Sequence, residues 1–327
     1  MEYRTLGKTG YKISEVSLGT WQLGSKWGEP FSNQDAQETL EAAYQAGVNF
    51  FDTADIYQDG ESEKAIGEFL VAHPERDIIV STKMGRAIDP HTIDSYSKEN
   101  LEAFVAKSLK NLKTDSLDLI LLHCPPTDAY YHKEIFDTLD EMKADGRIKH
   151  YGVSVERIEE AIKALDYDIS AVEIIFNIFR QKPADLFFKL AQSQNVGTII
   201  RVPLASGLLT GKYTLETTFG KNDHRNFNRN GEAFDKGETF AGVDYATGVR
   251  AATELKDQLG TDNLAQTALR WILMFDAVST IIPGASNAAQ IASNTGAADL
   301  QPLTHEQMLI CQNIYEEFFE PTVKYLW

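Results

Sequence analysis

Four residues able to handle protons stand at the ends of three short apolar runs. The run through Phe50 and Phe51 closes on Asp52, and Tyr57 follows five residues later. A second run, 78–80, opens into Ser81-Thr82-Lys83, and a third, 117–122, delivers His123. An aspartate, a tyrosine, a lysine and a histidine together can hold, orient and pass a proton. Folds built on parallel strands place their active sites at strand C-termini. A metal reading of Asp52, His123 and Cys124 is the weaker one, because no His-x-His or Cys-x-x-Cys spacing accompanies them.

The positions of these residues depend on the elements around them. Residues 3–14, with Gly7-Lys8-Thr9-Gly10 between two β-prone pieces, read as a hairpin. Strand candidates then follow at 16–18, 49–52, 78–83, 117–122, 150–153, 171–175, 198–202 and 279–282. Several are continuous apolar runs, as expected of parallel strands buried on both faces. Between them lie helix candidates. The first opens at Ser32-Asn33-Gln34-Asp35, which reads as an N-cap, and ends at Gly47; the others are 62–70, 98–112, 132–145, 157–165, 184–194, 263–275 and 287–298. Eight strands each followed by a helix predict an α/β fold, a (β/α)8 barrel forming a single domain over 1–327. An open doubly wound sheet would carry a G-x-G-x-x-G after an early strand, and none occurs. Two pieces fall outside the repeat: a long polar and aromatic loop at 208–244, read as a cover for the ligand face, and a C-terminal helix from Thr304 to about residue 318.

Composition narrows the function. A net charge of −17 opposes nucleic-acid binding, which relies on clustered Lys and Arg. The 43% hydrophobic and 24% charged content is that of a soluble globular chain. Two cysteines far apart, Cys124 and Cys311, argue against a disulfide framework. No apolar stretch approaches the roughly 20 residues that span a bilayer. A cytoplasmic protein with no membrane or nucleic-acid partner is the expectation.

Several further motifs fall in order. They are Ser17-Leu18-Gly19-Thr20-Trp21, Phe51-Asp52-Thr53-Ala54 with Tyr57, Thr82-Lys83, Leu122-His123, Gly152-Val153-Ser154, the run from Pro203 to Lys212, and Ile282-Pro283-Gly284-Ala285-Ser286 with Gln290 and Asn294. With them the chain resembles the aldo-keto reductase superfamily over essentially its whole length, its cofactor motif being similar to that of the potassium-channel β-subunit branch. The resemblance implies a barrel that moves hydride between a nicotinamide cofactor and a carbonyl–alcohol pair. It implies a catalytic set of Asp52, Tyr57, Lys83 and His123. A free phenol has a pKa of about 10, so a nearby Lys83 cation would favour the phenolate of Tyr57, with Asp52 keeping Lys83 charged and aimed. His123 would hydrogen-bond and orient the substrate oxygen. For the cofactor it implies Gly19, Thr20 and Trp21, together with Asp52, beside the nicotinamide, and Ser154 on the carboxamide. Pro203, Leu204, Ser206, Gly207, Leu209 and Lys212 would wrap the pyrophosphate, and Pro283, Gly284, Ser286, Gln290 and Asn294 would hold the adenosine end.

Four positions depart from that pattern. Val155 stands where the family often has Asn, Glu173 where it usually has Gln, and Arg201 where an aromatic commonly stacks on the nicotinamide. An Arg201–Glu173 pair lining the nicotinamide pocket is expected, since a bare guanidinium would repel an oxidised nicotinamide. No Lys or Arg follows the last strand to hold a 2′-phosphate; Lys212, Lys221 and Arg225 of the long loop are the candidates instead. NADP(H) is favoured, with NAD(H) the alternative. The substrate expected is a small aldehyde, ketone or sugar, with Trp21, Trp27, Tyr57, Tyr130 and Phe227 as an aromatic mouth. Two other readings stay open: a nicotinamide-binding regulatory subunit, and a lyase or epimerase with Tyr57 and Lys83 as base.

Overall fold

A computed structural model describes residues 1–25 and 29–327. It opens on an antiparallel hairpin of β1 (Tyr3–Thr5) and β2 (Lys12–Ser14). Eight parallel strands follow: β3 (Leu18–Gly19), β4 (Phe50–Asp52), β5 (Ile79–Met84), β6 (Leu117–His123), β7 (Ile148–Ser154), β8 (Ala171–Ile175), β9 (Gly197–Arg201) and β10 (Thr280–Ile281). They pair in chain order from β3 to β10, and bridges from Val16 to Ile281 and from Gly19 to Gly284 join the last strand to the first. The result is a closed (β/α)8 barrel.

The helices α1 (Asn33–Gln45), α2 (Glu61–Ala72), α3 (Lys98–Leu112), α4 (Lys133–Ala144), α5 (Ile158–Ala164) and α6 (Phe187–Ser193) fill the crossovers up to β9. Their starts are chemically marked. The Ser32 hydroxyl accepts from the Asp35 amide at 3.2 Å and the Ser97 hydroxyl from Asn100 at 3.3 Å, each satisfying an orphan N–H of a first turn. After β9 come the short α7 (His224–Phe227), α8 (Tyr245–Leu259) and α9 (Leu264–Leu273); α10 (Ala288–Thr295), α11 (His305–Phe318) and α12 (Glu320–Val323) close the described chain. The α8 helix is absent from the sequence expectations, although Asp244 caps it, Gly260 ends it, and Val249, Ala252, Leu255 and Leu259 make one buried face. The expected helix over 184–194 is shorter, a 3-10 turn at Lys182–Ala184 preceding α6.

Side chains alternate between the faces of each strand, and this alternation builds the site. Phe50, Ile79, Leu119, Leu121, Ala171 and Ile199 point into the barrel and form a small core of their own. Two residues further along the same faces come Asp52, His123, Glu173 and Arg201, and Lys83 lies four beyond Ile79. The intervening Phe51, Val80, Ile120, Leu122, Val172 and Ile200 pack outward against the helices. The barrel interior is therefore apolar at its base and ionisable at its C-terminal end.

The hairpin seals the base. Leu6 and Ile13, both fully buried, complete the interior cluster. Gly197 makes room for them, since a Cβ there would lie 2.5 Å from Leu6 Cδ1. Arg4 clamps the hairpin to the C-terminal end of α9. Its guanidinium donates to the carbonyls of Leu273 at 2.8 Å and Val278 at 3.0 Å, and pairs with Glu15 at 2.9 Å. Leu6→Ala is expected to lower unfolding stability by about 2–5 kcal/mol, read from the midpoint of urea denaturation. A shift no larger than that of an exposed Leu→Ala control such as Leu215→Ala would show that the hairpin is not part of the barrel core.

Candidate active site

Lys83 is the centre of the pocket. Its Nζ donates to Asp52 Oδ2 at 2.5 Å and to the Thr53 carbonyl at 3.0 Å, and lies 3.3 Å from Glu173 Oε2. All three ionisable side chains are buried, Lys83 completely. Burial opposes the ammonium, yet Asp52 and Glu173 outweigh it and hold the Lys83 pKa above its ordinary value. Asp52 moves the other way for a carboxylate: burial, and next the Glu173 charge, push it well above the usual range against the pull of Lys83. The ammonium sits 5.2 Å from the centroid of the Tyr57 ring, whose other neighbour is the His123 ring at 6.0 Å and nearly perpendicular. Burial raises the Tyr57 phenol and Lys83 lowers it, and burial wins, so the lysine does not by itself bring the phenol below its ordinary value. His123 is held well below its ordinary value by burial and then by Arg86 and Lys83, which keeps the imidazole neutral.

Register brings the remaining groups into line. His123 of β6 pairs with Ser154 of β7, and Ser154 pairs with Glu173 of β8. The Ser154 hydroxyl donates to Glu173 Oε1 at 3.1 Å. The expected Arg201–Glu173 pair is present but long, at 4.0 Å from Nε. Arg201 has a nearer partner in Glu156, at 3.0 Å, and another in Glu238 at 3.8 Å. Arg86 joins the same two carboxylates, at 3.1 Å to Glu156 and 2.8 Å to Glu238. The Val155 carbonyl also accepts from Arg201 at 2.9 Å, so the main chain of that departing position is used while its side chain is buried in the core. Cys124 Sγ, Glu156 and Glu238 converge within 4.8 Å, as metal ligands would. Two guanidinium groups already fill the cation's role there.

The expected cofactor residues divide into two groups. Gly19, Thr20, Asp52, Ser154, Glu173 and Arg201 ring the Lys83 pocket: the Thr20 amide and hydroxyl both donate to the Asp52 carbonyl, at 2.9 and 2.8 Å. The Gly19 amide donates to the Pro283 carbonyl at 3.2 Å, which ties the first strand's exit to Pro283 and Gly284. Trp21 packs edge-on against His224 at 4.5 Å. The second group lies along the exits of β9 and β10. Val202, Ala205 and Ser206 take positive φ before Gly207 at +97°, a run of uncommon backbone of the kind found where ligands are held. Pro203, Leu204 and Leu209 belong to this turn, and Lys212 after it is exposed. The Ser206 hydroxyl serves the long loop, accepting from the Phe240 amide at 3.0 Å. Gln290 accepts from Ser286 at 2.8 Å, and Asn294 donates to the Gly284 carbonyl at 3.3 Å. Arg225 is committed elsewhere, paired with Asp223 at 2.5 Å and bonded to the Tyr213 hydroxyl. Of the aromatic mouth, Tyr130 is fully buried in the core rather than at an opening, Phe227 packs on Phe234, and Trp27 lies outside the described residues.

Arg86, Glu156, Glu238 and His224 were not anticipated. Glu156 continues the two-residue step from Ser154 and was within reach of that alternation. Glu238 and His224 sit in the irregular stretch after β9, where no periodicity marks them.

A family model for the aldo/keto reductases matches residues 15–316. The chain belongs to the aldo/keto reductase family. It is 29% identical to the uncharacterized oxidoreductase YqkF of Bacillus subtilis, over 96% of both chains. It is likewise 29% identical to a probable voltage-gated potassium channel subunit beta of Arabidopsis thaliana, over 93% of both. Its structure resembles the holo form of the aldo-keto reductase AKR11C1 from Bacillus halodurans, with a TM-score of 0.79 and 26% identity over 99% of both chains. As a member of this family the protein is an oxidoreductase. Among the described residues no helix is long and apolar enough to cross a membrane.

Between Asp52 and Tyr57 the chain buries one more acid. Asp55 is fully buried and neither of its carboxyl oxygens has a hydrogen-bond partner within the described protein. Burial, and next the Glu63 charge, push it up to about 7 against the opposing Lys107. A carboxyl raised on folding contributes its full stability below the unfolded value of about 4 and loses it as pH rises through the folded value. Asp55→Asn should therefore unfold at higher urea than wild type at pH 8, by up to about 4 kcal/mol, with the two converging at pH 4. An equal difference at both pH values would exclude the titration of Asp55 as its cause.

Proposed function

We propose that the protein transfers hydride between NADP(H) and the carbonyl–alcohol pair of a small aldehyde, ketone or sugar, with Tyr57 as general acid and base. The observation that carries this reading is the buried Lys83–Asp52 pair with its ammonium 5.2 Å from the Tyr57 ring centroid, and neutral His123 edge-on to the same ring. The residues fit a nicotinamide. Asp52 Oδ1, Glu173 Oε2, His123 Nδ1 and Arg201 Nε are buried donors and acceptors with no hydrogen-bond partner among the described residues, and a carboxamide supplies both complements. The cofactor, when bound, supplies or accepts the hydride.

The chain's own residues handle the proton and the oxygen. In the reducing direction Tyr57 Oη gives its proton to the carbonyl oxygen as negative charge grows there. The phenolate left behind faces the Lys83 ammonium, and Asp52 keeps that ammonium in place. His123, being neutral, offers one N–H to the same oxygen and fixes its direction. In the oxidising direction the same groups act in reverse, the phenolate taking the alcohol's proton.

For the second phosphate the segment from Pro283 to Asn294 offers no cation, and Arg225 is held by Asp223. Lys212 and Lys221, both exposed on the long loop, are the free candidates for NADP(H). The protein is proposed to work in the cytoplasm on freely diffusing substrates. A second reading, a cofactor-binding regulatory subunit, draws on the 29% identity to a channel subunit beta.

Turnover separates the two. Purified protein with NADPH or NADH and a panel of aldehydes, ketones and sugars should oxidise the cofactor. Tyr57→Phe should lower kcat by about a hundredfold to ten-thousandfold while leaving cofactor affinity within a few fold of wild type. Tight cofactor binding without turnover on any substrate would favour the regulatory reading, and full activity in the Phe variant would remove Tyr57 from its role. Lys212→Ala should weaken NADPH binding and spare NADH; equal effects on both would take Lys212 off the 2′-phosphate.

A further inference from the structure

Glu173 gives the pocket an unbalanced charge. Four carboxylates, Asp52, Glu173, Glu156 and Glu238, are linked through three cations, Lys83, Arg86 and Arg201, by contacts of 2.5 to 4.0 Å. Among the described residues Arg180 also faces this cluster, donating to the Glu156 carbonyl and feeling the charges of Glu156, Asp235 and Glu238; counted together, Arg180 and Asp235 add one cation and one acid and leave the difference at one. Tyr57, Tyr96, His123, Cys124, His91 and His224 also face the cluster and are held in their neutral forms, while Asp55, pushed up to about 7, feels Lys83 but is set first by burial and by Glu63. With all four ionised one carboxylate stands in excess, and a glutamine at position 173 would make the count three against three; Asp52 and Glu156, both held above the usual carboxylate range by burial and a neighbouring acid, are where a relieving proton rests.

Buried surplus charge is expensive, and a site relieves it by holding a proton or a counter-ion. The surplus lies next to the groups assigned to the nicotinamide. Glu173 takes its hydrogen bond from Ser154, and its second oxygen, like Asp52 Oδ1, has no hydrogen-bond partner in the described protein. Arg201 does not cancel it, since both Glu156 and Glu238 stand nearer to that guanidinium than Glu173 does. A reduced nicotinamide is neutral and an oxidised one carries a positive charge. We infer that Glu173 is the counter-charge for the oxidised nicotinamide: the carboxylate network holds one proton when the reduced cofactor is bound and releases it to solvent when the oxidised cofactor takes its place. The inference rests on reading this pocket as the nicotinamide site. Its consequence is a pocket that favours the oxidised cofactor more as pH rises, and so draws the bound couple toward oxidation.

The test is a pair of binding measurements on the full-length protein. Titrations of NADP⁺ and NADPH, followed by calorimetry, give the ratio of the two dissociation constants. In weakly buffered solution with a pH indicator, wild type should release about one proton for each NADP⁺ bound at neutral pH and almost none with NADPH. Glu173→Gln should weaken NADP⁺ relative to NADPH by about tenfold or more, the factor carried by one pKa unit of differential interaction, and should abolish the proton release. Glu173→Asp, which keeps the charge, should retain most of both effects. An unchanged ratio in a folded Gln variant would overturn the inference. So would wild-type protein that releases no more protons with NADP⁺ than with NADPH, a measurement that stands even where the Gln variant does not fold. Failure of wild type to bind either cofactor form would bring down the site reading itself, and this inference with it.

Discussion

The whole pocket is organised around an ammonium that has no access to water. An isolated buried lysine would shed its proton, because burial penalises the charged form. Lys83 keeps it because Asp52 is 2.5 Å away and Glu173 3.3 Å away, each delivered by a different strand. That arrangement binds three strands to one register. A slip of one residue in β4 or β8 would turn a carboxylate outward among the helices and leave the ammonium stranded. Removing one partner of such a pair typically costs about 3–5 kcal/mol, so the chemistry and the alignment of the barrel constrain each other.

Most of this was legible before any coordinates, for a definite physical reason. Buried parallel strands must be continuous apolar runs, and the ionisable residue that ends each run is conspicuous because it breaks the run. Asp52, Lys83 and His123 were found that way, and Glu173 and Arg201 as departures from a family pattern. What escaped were partners outside the strands: Glu156 lies one alternation step past the end of β7, and Arg86 and Glu238 have no periodic signal. Arg86, Glu156 and Glu238 read as solvated charges in connecting segments, yet they meet around Arg201 in three dimensions. The distance in sequence between Arg86 and Glu238 carries no hint of that meeting. The α8 helix was missed differently: its caps and apolar stripe are in the sequence, but it falls in the gap between the loop expected at 208–244 and the helix expected at 263–275. Tyr130 shows the converse error. An aromatic residue near a strand end suggests a pocket wall, and here it is core.

The long segment after β9 is less an appendage than a wall. Its Glu238 reaches into the ion network beside Arg201 and Arg86, its His224 packs on Trp21 from the first strand's exit, and its Phe240 amide donates to the Ser206 hydroxyl. Charge, ring and backbone contacts therefore run from one irregular stretch to the exits of three barrel strands, β3, β5 and β9. Strands hold Asp52, Lys83 and His123, Tyr57 opens a short 3-10 turn after the first of them, and the irregular stretch after β9 lies alongside.

The closure of the barrel has a consequence in time. The Thr280 hydroxyl of β10 donates to the Ser14 carbonyl, a partner 266 residues away in the chain. Nearly the whole polypeptide must be made before the first strand finds its second neighbour. Until then β3 and the hairpin present an unsatisfied edge, and the loop-closure entropy for sealing it falls due only at the last step. A chain with an edge left open this long risks wrong pairing with other chains. Its yield in a cell then depends on what shields that edge during synthesis as much as on the stability of the finished barrel.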